Sequence, residues 1–449
     1  MTPLIRWARN GDIAIAYAVV GNGPIDVVYV PPINSLEIMW DNPLYARFLQ
    51  RLASFSRVVI VDRRGTGLSD RYSPEELPPL EDLVDDLAAV IEDVGSDRPV
   101  LFGFSDGGGL CAMFAATRPE RLSGLVLYAS AATGTQTEDH PWQWTELDWA
   151  EWLDAVRTRY GTEEFAAETV ALFAPSCVGN EQILRWMTRF WRVASSPSAM
   201  YAQERVYQAM DIRSLLPAVR VPTLVLHREG DRVEYVGAGH YLGGAIAGAT
   251  YVELRGSDHV PWSGADDALV SEIERFVGAL GHKEAEVFDR VLATVLFTDI
   301  VESTAMTAQL GDRGWRELLS RHNDIVREHL LRFRGREIDT AGDGFFASFD
   351  GPARAIRCAS EVQESIQALG IDVRAGIHTG ECEVIDGKIA GISVVTGARI
   401  AAHAAPGEVL VSGTVKDLVA GSDIRFEDRG LTELKGIPGE WRLYAVAGS

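Results

Sequence analysis

Two sets of side chains in this chain have residue types and spacing suited to chemistry. The first is a carboxylate pair. Residues Arg290 to Thr304 read RVLATVLFTDIVEST. The apolar, β-branched run from Val291 to Phe297 predicts a strand ending at Thr298-Asp299, with a turn and a helix start behind it. Further on, Ile338-Asp339-Thr340-Ala341-Gly342-Asp343-Gly344 places a second carboxylate, Asp343, in a glycine-flanked turn. A single aspartate in a turn is ordinarily only a turn residue. Two at neighbouring strand ends suit a hard divalent cation whose other oxygen ligands come from a phosphate.

The second set is a nucleophile with a base and an orienting acid. Gly103-Phe104-Ser105-Asp106-Gly107 is a G-x-S-x-G pentapeptide between a predicted strand (Val100 to Gly103) and a predicted helix (about Gly108 to Thr117). That is the context a nucleophile elbow requires. The turn excludes bulk on both sides of the serine, and the helix N-terminus favours a developing oxyanion. A predicted strand, Val221 to His227, leads to Gly230-Asp231. Another, Thr250 to Leu254, leads to Ser257-Asp258-His259. Serine, acid, histidine is the chain order of this arrangement, so Asp231 is the expected acid and His259 the expected base. Asp258 adjoins His259 and ranks below Asp231; His227 and His240 are expected to be structural.

These residues need elements to hold them. Strands are expected at Ile13 to Val20, Asp26 to Val30, Arg57 to Val61 and Leu122 to Ser130. A helix is expected from Leu80 to Val94, with Leu83, Leu87, Val90, Ile91 and Val94 on one face. Nearly all-apolar strands alternating with helices predict a parallel sheet covered on both faces. Ala131 to Leu216 carries no strand pattern and reads as a helical cap. It holds Trp142, Trp144, Trp149, Trp152, Trp186 and Trp191, out of 11 tryptophans in the chain. Any one of them is ordinarily core. As a group they predict the wall of a pocket for a sizeable apolar or aromatic ligand.

Past a short polar joint, Gly281 to Glu286, the pattern changes. A strand (Val291 to Thr298) and a long helix (Trp315 to Phe333) precede two strands flanking Asp343 (Glu337 to Thr340, Phe345 to Phe349). A helix (Ala353 to Leu369), a strand (Asp372 to His378), a helix (Val394 to Ala402) and strands at Glu408 to Val411 and Trp441 to Val446 follow. A hairpin between two helices on one sheet predicts a ferredoxin-like α+β core.

The totals agree with two domains: 449 residues are too many for one core. The boundaries expected are 1–280 with a cap insertion at 131–216, a linker at 281–290, and 291–449. A net charge of −22 argues against nucleic acid or an anionic membrane as main partner, and leaves room for one nucleotide. The 4 cysteines lack metal-type spacing and read as reduced thiols. The N-terminal stretch MTPLIRWARNGD lacks the apolar core of a signal peptide, and no apolar run approaches a membrane span. A cytoplasmic location is expected.

The motifs DRRGTGLSDR, GFSDGG, LVLHREGD and GSDHVPW, in that order, resemble the α/β-hydrolase superfamily. The resemblance implies an oxyanion hole from two backbone amides, here Asp106 and a donor after the strand ending at Val30. That place reads Val30-Pro31-Pro32-Ile33; proline has no N–H, so Ile33 is the implied donor. An apolar ligand or ester in the hydrolase pocket is the expected partner.

FTDIVEST, TAGDG, GIHTGE, GARIAAHAAPGEVLVS and LKGI closely resemble the catalytic domain of class III nucleotidyl cyclases, over nearly all of 291–449. The resemblance implies conversion of ATP, or GTP, to a 3′,5′-cyclic nucleotide and pyrophosphate with two divalent cations, Mg²⁺ or Mn²⁺. Asp299 and Asp343 match the metal aspartates, with Ile300 beside them as a further metal position. Backbone from Ile300 through Val301, Glu302 and Ser303 to Thr304 would cradle phosphate. Arg399 matches the arginine that stabilises charge on the transferred phosphorus, and Lys435 the lysine that contacts the terminal phosphates. Asp339 stands where adenylyl cyclases carry a base-reading lysine, and Lys388 where they carry an aspartate, so acid and base have exchanged places. Val395 replaces a ribose-orienting asparagine; valine cannot hydrogen-bond, which implies a slow enzyme or one that borrows another donor. One cyclase domain holding both residue sets implies a head-to-tail homodimer.

Overall fold

The computed structural model describes residues 3–71, 77–264, 267–280, 290–385 and 388–447. They fall into two compact units, Met1–Val287 and Phe288–Ser449. The joint expected at 281–286, like the rest of 281–289, lies outside the described residues.

In the first unit the apolar runs form β1 (Ile5–Asn10), β2 (Ile13–Val20), β3 (Asp26–Val30), β4 (Arg57–Val61), β5 (Val100–Phe104), β6 (Gly124–Tyr128), β7 (Thr223–Arg228) and β8 (Thr250–Leu254). They make one sheet in the order β1-β2-β4-β3-β5-β6-β7-β8. From β4 through β8 every neighbouring pair is parallel; β1 and β2 form an antiparallel edge. The parallel strands β3 to β7 are almost wholly buried, which their unbroken apolar character requires. The first strand was not expected: IRWARN alternates a polar, exposed edge rather than an apolar run.

Helices α1 (Pro43–Ala53), α2 (Leu80–Asp93) and α3 (Gly107–Thr117) cover this sheet. Four more, α4 (Glu146–Arg159), α5 (Glu163–Phe173), α6 (Glu181–Ala194) and α7 (Pro197–Ala209), form the insertion between β6 and β7. Polar side chains of Thr145, Thr162, Asn180 and Ser196 cap their N-termini, satisfying amides that have no helical partner. Helices α8 (Val236–Ala245) and α9 (Asp267–Leu280) complete the unit. It has the α/β-hydrolase fold with a helical cap.

The second unit runs β9 (Arg290–Ile300), α10 (Ser303–Arg332), β10 (Arg336–Ala341), β11 (Gly344–Phe349), α11 (Pro352–Gln367) and β12 (Val373–Ile385). It continues with β13 (Lys388–Ala390), α12 (Ile392–His403), β14 (Val409–Ser412), α13 (Gly413–Leu418), β15 (Phe426–Glu433) and β16 (Glu440–Val446). The sheet order β10-β11-β9-β12 is that of a ferredoxin-like core, extended by β14, β16 and β15. Helix α11 turns Ala355, Ile356, Ala359, Val362 and Ile366 into the core under that sheet. Helix α10 begins earlier than the long helix expected from Trp315, because a separate first turn set from Ser303 is broken at Gly311 (φ 67°, ψ 169°). Two strands, β13 and β15, and helix α13 were not expected; β15 is mostly exposed and polar, so it carries little apolar signal.

Candidate functional sites

Ser105 stands at the turn between β5 and α3 with φ 55°, a left-handed conformation unusual for a side-chain-bearing residue. The flanking glycines explain how the turn closes. A Cβ on Gly103 would lie 2.5 Å from Gly108 Cα, and one on Gly107 would lie 2.2 Å from Val30 O. The Ser105 hydroxyl meets His259 Nε2 at 3.0 Å, and His259 Nδ1 meets Asp231 Oδ2 at 2.8 Å. Asp231 Oδ1 accepts from the amides of Val233 and Glu234 at 2.9 and 3.2 Å, which fixes the carboxylate. All three side chains are buried. They form a hydrogen-bonded chain in which the imidazole can take the serine proton and the carboxylate can stabilise the imidazolium.

The neighbouring candidates have other partners. Asp258 accepts from the amide and hydroxyl of Ser176 at 2.9 and 2.8 Å, so it faces away from His259. His240 pairs with Glu253. His227 Nε2 lies 2.6 Å from Glu234 O, and burial lowers its pKa. Asp106 and Ile33 both line the cavity in front of Ser105.

Two arginines hold this constellation, and spacing alone gave no sign of them. Arg63 binds both carboxylate oxygens of Asp106 at 3.0 and 2.8 Å and donates to Pro32 O, tying together the two segments that carry the Asp106 and Ile33 amides. Buried Arg228 donates to Asp258 O and Val260 O at 2.7 and 2.9 Å, bracing the loop of His259.

The cavity measures about 100 Å³. Trp144, Trp149, Trp152, Trp186 and Trp191 of the cap line it, joined by Trp262; Trp142 does not. The expected tryptophan wall is present, but the space is small: an apolar cavity of about 150 Å³ takes benzene. The rings around it meet at tilted to edge-to-face angles.

In the second unit, Thr298 of β9 pairs with Phe345 of β11, so Asp299 and Asp343 fall just beyond that pair at the same end of adjacent strands. Asp343 Oδ2 is buried and has no hydrogen-bond partner among the described residues. A desolvated carboxylate oxygen without a donor is costly unless a cation meets it. Asp299 Oδ2 accepts from Arg374 Nε and Nη2 at 3.1 and 2.5 Å. Arg374 sits directly opposite Asp299 in the β9–β12 register and was missed, since its importance lies in that pairing. Among the described residues no three His, Cys, Asp or Glu side chains cluster as a protein-only metal cage.

Between Asp299 and α10 the chain turns through Glu302, at φ 55° and ψ 29°. The Val301 amide already donates to Asp372 O at 2.9 Å, which takes it out of the expected phosphate cradle. Ile300 is buried in the ladder opposite Val373. The turn amides left at the helix start belong to Glu302, Ser303 and Thr304. Arg399 on α12 and Lys435 after β15 are exposed and make no ion pair among the described residues. Asp339 is exposed beside a bulge in β10 and accepts from the Thr340 amide at 3.0 Å. Lys388 opens β13, and its side chain lies outside the described residues. Val395 is 42% exposed on α12, one turn from Arg399.

Known proteins divide along the same line. Residues 40–262 match the family model for the alpha/beta hydrolase fold, and residues 284–448 match that for the adenylate and guanylate cyclase catalytic domain. A pimeloyl-acyl-carrier-protein methyl ester esterase of Nitrosospira multiformis is 25% identical over 268 residues, covering 59% of this chain and 99% of that protein. A Rhizobium meliloti protein named "Putative adenylate cyclase 3" is 29% identical over 161 residues, covering 34% of this chain and 27% of that protein. The chain thus spans about a quarter of the length of that second relative. In structure, a bromoperoxidase from Bacillus anthracis superposes with a TM-score of 0.53 at 21% identity, over 61% of this chain and 100% of that one. An esterase from Rhodococcus sp. ECU1013 gives 0.53 at 22% identity, over 63% and 100%. Among the described residues no helix is long and apolar enough to cross a membrane. The chain therefore joins a domain of the alpha/beta hydrolase fold to an adenylate and guanylate cyclase catalytic domain, in that order.

Proposed function

We propose that the chain is a nucleotidyl cyclase that converts ATP, with GTP as the alternative, to a 3′,5′-cyclic nucleotide and pyrophosphate in a homodimer. The hydrolase domain, taken as residues 1–280 ahead of a linker at 281–290, serves it as a ligand-sensing or esterase partner. The observation that carries the reading is the unpartnered buried oxygen of Asp343 at the strand end shared with Asp299. Asp299, Asp343 and the main chain at Ile300 would hold two divalent cations, Mg²⁺ or Mn²⁺. Bound there, such ions neutralise triphosphate charge and acidify the ribose 3′-hydroxyl. The chain's own part is positioning. Amides of Glu302 to Thr304 receive phosphate oxygens at the start of α10. Arg374 holds one oxygen of Asp299 and leaves the other free. Arg399 and Lys435, exposed and without an ion pair among the described residues, are available to a triphosphate presented by a second protomer, while Asp339 and Lys388 are the candidates to read its base. Cyclic product from ATP and from GTP, with Mg²⁺ and with Mn²⁺, tests this. We expect turnover in the wild type and none in Asp343→Ala; equal turnover in both would overturn it.

A second reading makes the chain a serine esterase whose cyclase domain is weakly active or serves dimerisation. The intact Ser105–His259–Asp231 chain favours it, as does valine at position 395. Hydrolysis of p-nitrophenyl acetate that disappears in Ser105→Ala, with no cyclic nucleotide formed, would establish this reading over the first.

A further inference from the structure

We propose that the cavity beside Ser105 recognises a small ligand bearing a cationic nitrogen, with Glu204 as its counter-charge and the surrounding tryptophan faces as its cage. This rests on the hydrolase domain being a ligand-sensing or esterase partner, and it names the chemistry of that ligand.

The charge of the lining decides the sign. Asp106, Glu204 and Glu234 line the cavity, and among the described residues no lysine or arginine does. Two of these acids already have partners. Asp106 is held by Arg63. Glu234 accepts from the hydroxyl of Tyr207 and, at 3.3 Å, from the amide of Gln143. Glu204, on α7, has no ion pair among the described residues; the indole of Trp152 is the donor beside it. Burial, reinforced by the charge of Asp106, pushes its carboxyl up to about 8. Arg63 is near enough to oppose that shift, but its guanidinium is spent on Asp106 and Pro32 O, so among the described residues no cation pairs with Glu204 itself.

The rings point to the same class. The indole N–H groups of Trp144, Trp149, Trp186 and Trp191 are spent on Val233 O, Gly134 O, Ile38 O and Thr169 Oγ1. These tryptophans can offer the cavity faces, and not donors. An anion would meet carboxyls and π-faces, both repulsive. A purely apolar ligand would leave the Glu204 carboxylate with only the Trp152 indole in a drier cavity. A cationic nitrogen satisfies the carboxylate and the ring quadrupoles at once. With about 100 Å³ available, the ligand is a compact amine or quaternary ammonium, or a short ester of one that also reaches Ser105.

The test measures binding to the full chain carrying Ser105→Ala, so that no turnover is needed. Choline is compared with its neutral isostere 3,3-dimethylbutan-1-ol, and n-butylammonium with n-butanol, by calorimetry and tryptophan fluorescence. Each cation should bind at least about tenfold more tightly than its isostere. The ratio should fall to about twofold when Glu204→Gln is added, and survive in Glu204→Asp, with thermal melts confirming that both variants fold. Equal affinity for cation and isostere, a preference that survives Glu204→Gln, or no binding by any of the four probes at 10 mM (roughly the weakest specific affinity worth the name) overturns the proposal. Hydrolysis of p-nitrophenyl acetate by chain with Ser105 intact is scored separately. Cation preference without hydrolysis supports this inference and removes the esterase reading; hydrolysis without cation preference does the reverse.

Discussion

Ser105 owes its place to a backbone that few residues tolerate, and the geometry around it sets what each substitution should cost. Ser105→Ala removes the hydroxyl that His259 would deprotonate, and ester hydrolysis should fall at least about a thousandfold. Arg63→Met tests a different point. Asp106 puts a negative side chain on the residue whose amide would meet an oxyanion, and Arg63 both neutralises it and anchors Pro32 O. We expect kcat for p-nitrophenyl acetate to drop about tenfold to a hundredfold with KM little changed, because the loss is in charge stabilisation at the transition state. A change confined to KM would assign Arg63 to substrate binding instead. At this scale the sequence was informative where chemistry follows from local spacing. Ser105 sits in a pentapeptide, and Asp231 and His259 each follow a strand. Arg63, Arg374 and Glu204 were not legible. Each is an ordinary charged residue until the fold sets it opposite Asp106, across from Asp299, or inside a ring of tryptophans.

Elements were legible wherever burial leaves an apolar period. The parallel strands and α2 follow it; the exposed edge strands β1 and β15 do not, and their pairing comes from neighbours rather than from their own residues. Helix α12 gives a prediction at this level. Val395 is exposed one turn before Arg399, so an asparagine there adds a hydrogen-bonding group without opening the core. Val395→Asn should raise cyclase kcat about tenfold if the position orients the ribose; an unchanged rate would show that another group does so. The cap and the loop after β7 give a second. Glu204 and Glu234 are each raised from 4.5 to about 8, chiefly by burial, with Asp106 and Asp231 adding repulsion and Tyr207, Gln143 and Trp152 opposing it. Folded chain therefore holds protons that unfolded chain releases above pH 4.5. Their stabilising contribution is complete below that pH and is lost as pH rises through about 8. Thermal melts should show the first unit losing several degrees between roughly pH 5 and 9. Glu204→Gln with Glu234→Gln should flatten that slope; an unaltered slope would place the titrating groups elsewhere.

At the scale of the whole molecule the question is how many copies make one active site. The second unit carries metal-type aspartates at one sheet end. It also carries an arginine and a lysine, Arg399 and Lys435, that stand exposed with no ion pair among the described residues. If those cations serve a triphosphate held by a second copy, each homodimer has two shared sites. Asp299→Ala alone spoils both, and so does Arg399→Ala alone. In a dimer built from one chain of each kind, both lesions fall in the same site and the other site is whole. An equal mixture that exchanges freely contains about half such dimers, each with one working site of two, so about a quarter of wild-type turnover should return. Subunit exchange is verified beforehand by energy transfer between separately labelled chains. Recovery close to a quarter fixes the shared site. If exchange is complete and the mixture stays as inactive as its components, Asp299 and Arg399 act within one chain.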